Sequence, residues 1–265
     1  MKKLSLLLLG SLAVTQVAQA NSGSFNGFYL GAQLGWVGRH DKTDLPAVTQ
    51  PEPLDGVKQD ALSQSKKTSS LGYGLYAGYG QNNRGFYWGG EFSIEHDTAN
   101  KEASYTIPSK IEGVPNGVAP YLDSVPRTTL NTKYQRGVVF GFAPRIGVVI
   151  ANDNLIYVKL GMEYSRDEVS ARYNWEYTPD PARIFQRSNT EASKNQFVFV
   201  PGFGYERAFG NLLARVEYGY NFGAKIKTSN LVRDLNTLAD NRLNNTAPTV
   251  QYSAHVVKFG LAYRF

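Results

Sequence analysis

The chain has 265 residues and is rich in aromatic residues and glycine, with 17 Tyr, 14 Phe, 3 Trp and 26 Gly. It has no cysteine, which excludes disulfides and thiolate metal sites. Its formal charge of +6 includes two lysines at the N-terminus, and no basic run with interleaved aromatic residues points to nucleic acid as a partner.

The first twenty residues have the pattern of a secretory signal peptide. Two lysines precede the apolar segment Leu4–Val14, which is too short to span a bilayer, and Ala18-Gln19-Ala20 is a small-x-small cleavage site. We expect cleavage before Asn21 rather than a retained membrane anchor, which leaves residues 21–265 as one domain. No later segment approaches the ~20 apolar residues of a membrane helix.

Eight later segments alternate apolar side chains with small or polar ones, as membrane β-strands of about 9–11 residues do. They are Gly27–His40, Ser69–Gly80, Gly85–His96, Tyr134–Ile150, Leu155–Ser165, Gln196–Arg207, Leu212–Phe222 and Ala254–Phe265. A soluble β-sandwich also alternates, but its outer face would not be so rich in glycine and so sparsely charged. The sequence therefore predicts an all-β fold, an eight-stranded antiparallel transmembrane β-barrel.

The links between these segments are alternately short and long. The short ones are Gln81–Arg84, Ala151–Asn154 and Ala208–Asn211, and each contains turn-forming residues. The four long ones are roughly 40–68, 97–133, 166–195 and 223–253. This pattern is typical of three short periplasmic turns and four long extracellular loops. Within the third loop, alternating aromatic residues from Arg172 to Thr178 predict a hairpin that continues beyond the membrane.

The two ends of the mature chain carry a family resemblance. GFYLGAQLGW at Gly27–Trp36 and VKFGLAYRF at Val257–Phe265 resemble the ends of small outer-membrane β-barrels of Gram-negative bacteria, such as the OmpA transmembrane domain and the opacity-type, Ail-type and porin-family surface proteins. The resemblance implies a bacterial outer-membrane location. It also implies that Phe259, Leu261, Tyr263 and Phe265 form the signal read by the barrel-assembly machinery.

Aromatic residues near the strand ends predict how the barrel sits in the membrane. Trp36, Tyr79 and Trp88 occupy such positions and are expected to be anchors at the membrane interface.

The predicted inward face carries ten charges, five acids and five bases. They are Glu91, Glu95, Arg145, Lys159, Glu163, Glu206, Arg215, Glu217, Lys258 and Arg264. An eight-stranded barrel is only wide enough for its own side chains, and buried charges persist when paired. We expect a salt-bridge network that fills the interior; the alternative is a gated narrow pore with the same residues as its gate.

Three histidines are the strongest candidates for catalysis. His40, His96 and His255 all fall near the outer ends of their strands, and some barrels of this size modify lipid A. No His-x-Ser-Asn arrangement surrounds His255, and the aspartates that follow the other two point to the opposite face. We therefore expect interfacial histidines, no catalytic or metal-binding residue, no cofactor and no enzyme.

The sequence leaves three functions open. The favoured one is a surface protein that supports envelope integrity and binds a host or matrix protein through its extracellular loops. The alternatives are a small diffusion channel and, less favoured, a lipid A-modifying enzyme. The expected partners are outer-membrane lipid, lipopolysaccharide and the assembly machinery, with the barrel as a monomer.

Overall fold

The computed structural model describes most of the chain beyond the first twenty-two residues. The described ranges are 23–46, 48–49, 57–59, 61–98, 102–107, 109–111, 127–176, 185–223, 225–228 and 247–265. The predicted signal peptide lies outside them and stays a prediction. Among these residues, no helix has the length and apolar character needed to cross a membrane.

Eight long strands form the body of the protein. They are β1 (Gly27–Leu45), β2 (Leu62–Asn83), β3 (Phe86–Asp97), β4 (Arg127–Ile150), β5 (Asn154–Glu176), β6 (Phe185–Phe209), β7 (Leu212–Asn221) and β8 (Thr249–Arg264). Each pairs antiparallel with the next, and β1 pairs with β8, which closes the ring. The predicted eight-stranded antiparallel barrel is confirmed.

The outer surface carries a broad band of exposed hydrophobic side chains, which we call the apolar belt. Leu34, Leu75, Phe92 and Phe203 are each about two-thirds exposed, and every barrel strand contributes to the band. These are the side chains that the alternation in the sequence placed on the outward face. An apolar surface of this size is typical of a lipid-facing barrel wall, since soluble monomers rarely expose contiguous apolar patches of more than a few hundred Å².

The short links all lie at one end of the barrel, the turn end, together with Gly27 and Phe265. Strands are joined there by Arg84–Gly85, by residues 151–153 and by Gly210–Asn211. Gly210 has a φ of +65°, a left-handed conformation that suits glycine in a two-residue hairpin turn. The opposite end is the loop end.

At the loop end the strands continue well past the belt as two separate sheets, which we call the extension. In the described residues, the β2–β3 ladder ends at Gly72–Asp97 and the β6–β7 ladder ends at Gly202–Gly219. Above these points β2, β1 and β8 form one sheet, and β4, β5 and β6 form the other. The β5–β6 ladder reaches Glu176–Phe185, in agreement with the hairpin predicted there.

Five shorter strands complete the described structure. Lys225–Lys227 extends the first sheet beside β8, and Glu102–Ile107 extends the second beside β4. Val48–Thr49, Val57–Gln59 and Ser109–Ile111 pair with one another in a small sheet of their own.

A small core lies between the two sheets of the extension. It consists of Tyr134, Val169, Val198, Val200, Ile226, Val250 and Tyr252. The rings of Tyr134 and Tyr252, one from each sheet, lie 4.7 Å apart. The extension is therefore a packed structure with residues from both sheets in its core.

Candidate functional site

The lumen near the turn end is filled by tyrosines that pack over glycines. A Cβ on Gly204 would lie 2.5 Å from the Tyr157 ring, and one on Gly78 would lie 2.4 Å from the Tyr29 ring. Both tyrosines are at most 5% exposed and belong to a core of nine buried residues. The inward glycines thus make room for large rings from neighbouring strands in a narrow barrel.

Above this layer, Glu91 and Glu206 hold the guanidinium group of Arg145. Arg145 is 1% exposed; its Nη1 lies 3.2 Å from Glu91 and its Nη2 lies 2.9 Å from Glu206. It also donates a 2.9 Å hydrogen bond to the Tyr29 hydroxyl, and its guanidinium lies 3.8 Å from the centre of the Tyr157 ring. A buried charge persists because it is paired and hydrogen-bonded in this way.

Arg215 continues the network on the other side of Glu91. It donates two hydrogen bonds to Glu91, at 2.5 and 3.1 Å, and one of 2.7 Å to Gln33. Glu217 accepts bonds from Lys159 at 2.6 Å and from the Tyr157 hydroxyl at 2.5 Å. These residues, with Arg145 and Glu206, form the lower cluster. Their six charged side chains come from five strands, and each is at most 8% exposed.

A second group, the upper cluster, lies nearer the loop end. Lys258 bonds Glu95 at 2.7 Å and lies 3.9 Å from Glu163. Arg136 donates to Glu163 at 2.9 Å and lies 3.9 Å from Asp167. Asp167 is fully buried and also accepts hydrogen bonds from Tyr134 and Ser165.

The structure places eight of the ten predicted interior charges in buried positions within these clusters. Glu95 is partly buried and paired with Lys258. Arg264 differs: it lies at the turn end and donates to the backbone carbonyls of Gly23 and Gly210. Arg264 is the penultimate residue and lies at the rim of the barrel, so the prediction that it belongs to the interior network is wrong. Its hydrogen bonds instead join the segment around Gly23 to the turn at Gly210.

Sequence reasoning missed several charged side chains on the interior face: Arg39, Asp41, Asp97, Arg136 and Asp167. A β-bulge between Arg136 and Val139 reverses the alternation of β4, so Arg136 faces inward although the pattern from Val138 onward places it outside. Arg39 and Asp97 pair at 2.5 Å just above the belt. Arg39 lies on the inward face within the predicted segment Gly27–His40, and continuing the period-two pattern one or two residues past the ends of the third and fifth segments would have found Asp97 and Asp167.

The three histidines all lie on the outer surface, and no contact joins them in the described structure. The Nδ1 of His255 lies 2.6 Å from the Tyr218 hydroxyl, and its ring packs on Tyr220. His96 packs edge-on against Tyr73. Within the described residues, no group of three acids, histidines or cysteines could hold a metal ion.

The predicted anchors and assembly residues lie on the outer surface of the barrel. Trp36 is 49% exposed near the loop-end edge of the belt, whereas Trp88 and Tyr79 lie near the turn end. The four assembly residues are more than half exposed and continue the belt along β8. They are Phe259, Leu261, Tyr263 and Phe265. Whether the assembly machinery reads them stays a prediction.

The comparisons with known proteins place the chain among membrane barrels. A model of the outer membrane protein beta-barrel domain matches residues 4–265. Similar solved structures include the outer membrane protease OmpT of Escherichia coli (13% identity, TM-score 0.44, covering 93% of this chain and 99% of that one) and the neisserial surface protein NspA (12%, 0.35, 91% and 98%). The attachment invasion locus protein Ail of Yersinia pestis is also similar (14%, 0.33, 91% and 99%). None of the curated proteins matches the chain.

Proposed function

The chain belongs to the family of outer membrane protein β-barrel domains and lies in the bacterial outer membrane, and we propose that it is a non-enzymatic surface protein. In this proposal the barrel supports the envelope, and the extension binds a protein of a host cell or its matrix. The observation that carries the proposal is the extension itself, because it presents a large folded surface outside the membrane.

The extension reaches far from the lipid surface. The belt ends near Tyr164 on β5 and Phe197 on β6, and both strands continue to the Glu176–Phe185 pair. Twelve further residues at about 3.3 Å each, on strands tilted by roughly 40°, rise about 30 Å. A partner protein could therefore reach this hairpin above the polar layer of the membrane.

The packed core of the extension also supports a binding role. Tyr134, Val169 and Tyr252 are buried between its two sheets, so the sheets hold the outward side chains in fixed positions. Binding residues are commonly carried on loops that a rigid scaffold positions.

The filled lumen argues against a diffusion channel. Arg145, Glu217 and Tyr157 are each at most 2% exposed and come from β4, β7 and β5. A channel would require these bonded groups to separate, which leaves buried charges unpaired at a cost of several kcal/mol. The same pairings tie up the interior acids and bases that an enzyme would need.

Adhesion of a non-adherent bacterial host tests the proposal. Cells expressing the full chain are compared with vector-only cells on epithelial monolayers and on basement-membrane matrix. A shortened variant deletes residues 173–188 and joins the Arg172–Asn189 pair through Asn-Gly. We expect adhesion of the full chain to exceed the vector level at least severalfold, and the shortened variant to lose this excess.

Heat-modifiable gel mobility checks that the shortened barrel still folds. If the full chain gives no adhesion above vector, or if the folded shortened variant adheres equally well, the proposed binding role is wrong.

A further inference from the structure

The two sheets of the extension differ in the charge of their outward faces. On the first sheet, the outward basic side chains are exposed and lie on β1, β2 and the short strand beside β8. They are Lys42, Lys67, Lys225 and Lys227. His40 lies directly opposite Lys67 on the same face. We call these four lysines the basic patch.

The nearest acid on this face is Asp44. It lies 3.5 Å from Lys42 and accepts a 2.7 Å hydrogen bond from Ser63. That hydrogen bond and the nearby Lys42 and Lys225 lower the pKa of the Asp44 carboxyl, which is therefore charged at neutral pH. Among the described side chains of this face, one acid accompanies four lysines, which leaves this set of side chains positive.

The outward face of the second sheet is electrically balanced. Among the described side chains, its bases are Lys133, Arg166 and Arg172, and its acids are Glu102, Glu168 and Glu191. These charges alternate across neighbouring strands, where Glu102 lies opposite Lys133. Among the described side chains, the excess positive charge thus lies on the first sheet.

The register brings the lysines of the basic patch within reach of a single anionic ligand. Ser65 lies directly opposite Lys42, and Lys67 is two residues from Ser65 on the same face of β2. Lys67 is therefore a diagonal neighbour of Lys42, at roughly 8 Å. Gln251 alone separates Lys42 from Lys225 across two strand spacings of about 4.8 Å each. Several anionic groups about 8–10 Å apart would therefore match the patch.

The height of the patch above the belt limits which class of anionic lipid could reach it. Lys67 lies four residues beyond Leu71, and Lys42 lies six beyond Trp36. At about 2.5 Å of height per residue on a tilted strand, they stand roughly 10 and 15 Å above the belt. The polar layer of a phospholipid leaflet is only about 5–8 Å thick. A phospholipid phosphate would not extend to the upper lysines.

We propose that the basic patch binds the phosphorylated sugars of an outer-leaflet glycolipid of the lipopolysaccharide type. Such a head group carries its anionic groups on sugars that rise above the acyl chains. The belt below the patch, with Trp36 and Leu71, would contact the acyl chains of the same molecule. Lysines contribute to such binding as point charges on flexible stems, which suits several phosphates at variable positions.

Binding of fluorescent deep-rough lipopolysaccharide to the full chain in neutral detergent tests the proposal. The patch variant combines Lys42→Gln, Lys67→Gln and Lys225→Gln. The matched control removes three bases from the balanced face, by Lys133→Gln, Arg166→Gln and Arg172→Gln. We expect the patch variant to bind at least about 10-fold more weakly, and the control to change less than about 3-fold at moderate salt.

Two further titrations use the unsubstituted chain and so do not depend on how the variants fold. Phosphatase-treated lipopolysaccharide should bind at least about 10-fold more weakly than the untreated form. Phosphatidylglycerol should also bind more weakly than untreated lipopolysaccharide. Equal binding by the patch variant, equal weakening in the control, or undiminished binding of dephosphorylated lipopolysaccharide would each overturn the proposal. Phosphatidylglycerol that binds as tightly as lipopolysaccharide would overturn the choice of a glycolipid.

Discussion

Replacement of Glu91 by glutamine tests whether the lower cluster holds the barrel together. Glu91 is 4% exposed and accepts hydrogen bonds from Arg145, Arg215 and Tyr29 at 2.5–3.2 Å. Glutamine keeps the shape of the side chain but removes its charge, which leaves two buried guanidinium groups under-compensated. Breaking a buried ion pair by removal of one partner costs about 3–5 kcal/mol. We expect Glu91→Gln to lower the free energy of unfolding by that amount.

Urea unfolding of the barrel in lipid vesicles, followed by tryptophan fluorescence, measures this loss. With a slope of about 2 kcal/mol per molar urea, the midpoint should fall by about 1.5–2.5 M. Glu168→Gln is the matched control, because Glu168 is exposed on the outer surface and should change the midpoint by less than ~0.3 M. If Glu91→Gln shifts the midpoint no more than Glu168→Gln, the interior network does not stabilise the barrel as we argue.

Three other changes address packing, the lipid-facing surface and assembly. Gly204→Ala places a methyl group against a buried tyrosine ring and should lower the free energy of unfolding in urea by about 1–3 kcal/mol. Gly90→Ala should be nearly neutral, because the nearest atom to its new Cβ would be in the Phe142 ring, 3.7 Å away. Leu160→Arg introduces a charge into the apolar belt and should lower the free energy of unfolding by about 2–4 kcal/mol. Ser65→Arg, above the belt, should lower it by under about 1 kcal/mol. Equal losses in the two variants would show that the belt is not the part of the barrel that faces lipid. Deletion of Phe265 should reduce the heat-modifiable, folded fraction in membranes severalfold, and an unchanged fraction would refute its role in assembly.

The period-two alternation of apolar and polar residues predicted the eight strands and most of the charged side chains in the interior. Alternation places a residue inside or outside once the strand is known, so Glu91 and Arg215 could be assigned to the lumen without a structure. Alternation fails where one extra residue is inserted. The bulge between Arg136 and Val139 is such a place. Gly137 lies within it, but glycines recur along the inward faces of the other strands and are explained there by packing, so this one did not stand out in the sequence.

The extension was predicted only in part, because its sequence differs from that of the belt. Beyond the lipid, outward positions become polar and the contrast between the two faces of a strand weakens. The sequence therefore predicts a loop over residues 40–68, where the structure instead pairs β1 with β2 up to Leu45–Leu62. The division of the extension into two sheets depends on where the β2–β3 and β6–β7 ladders end, which is a long-range property of the ring.

If paired side chains close the lumen, the folded chain should not pass ions. Planar-bilayer recording of the folded chain tests this closure, since an open pore conducts ions in discrete steps. We expect no conductance steps at neutral pH and moderate voltage from protein that shows heat-modifiable mobility. Regular stepwise conductance from the unsubstituted chain would show that the clusters around Arg145 and Arg136 form a gate, and would contradict the account.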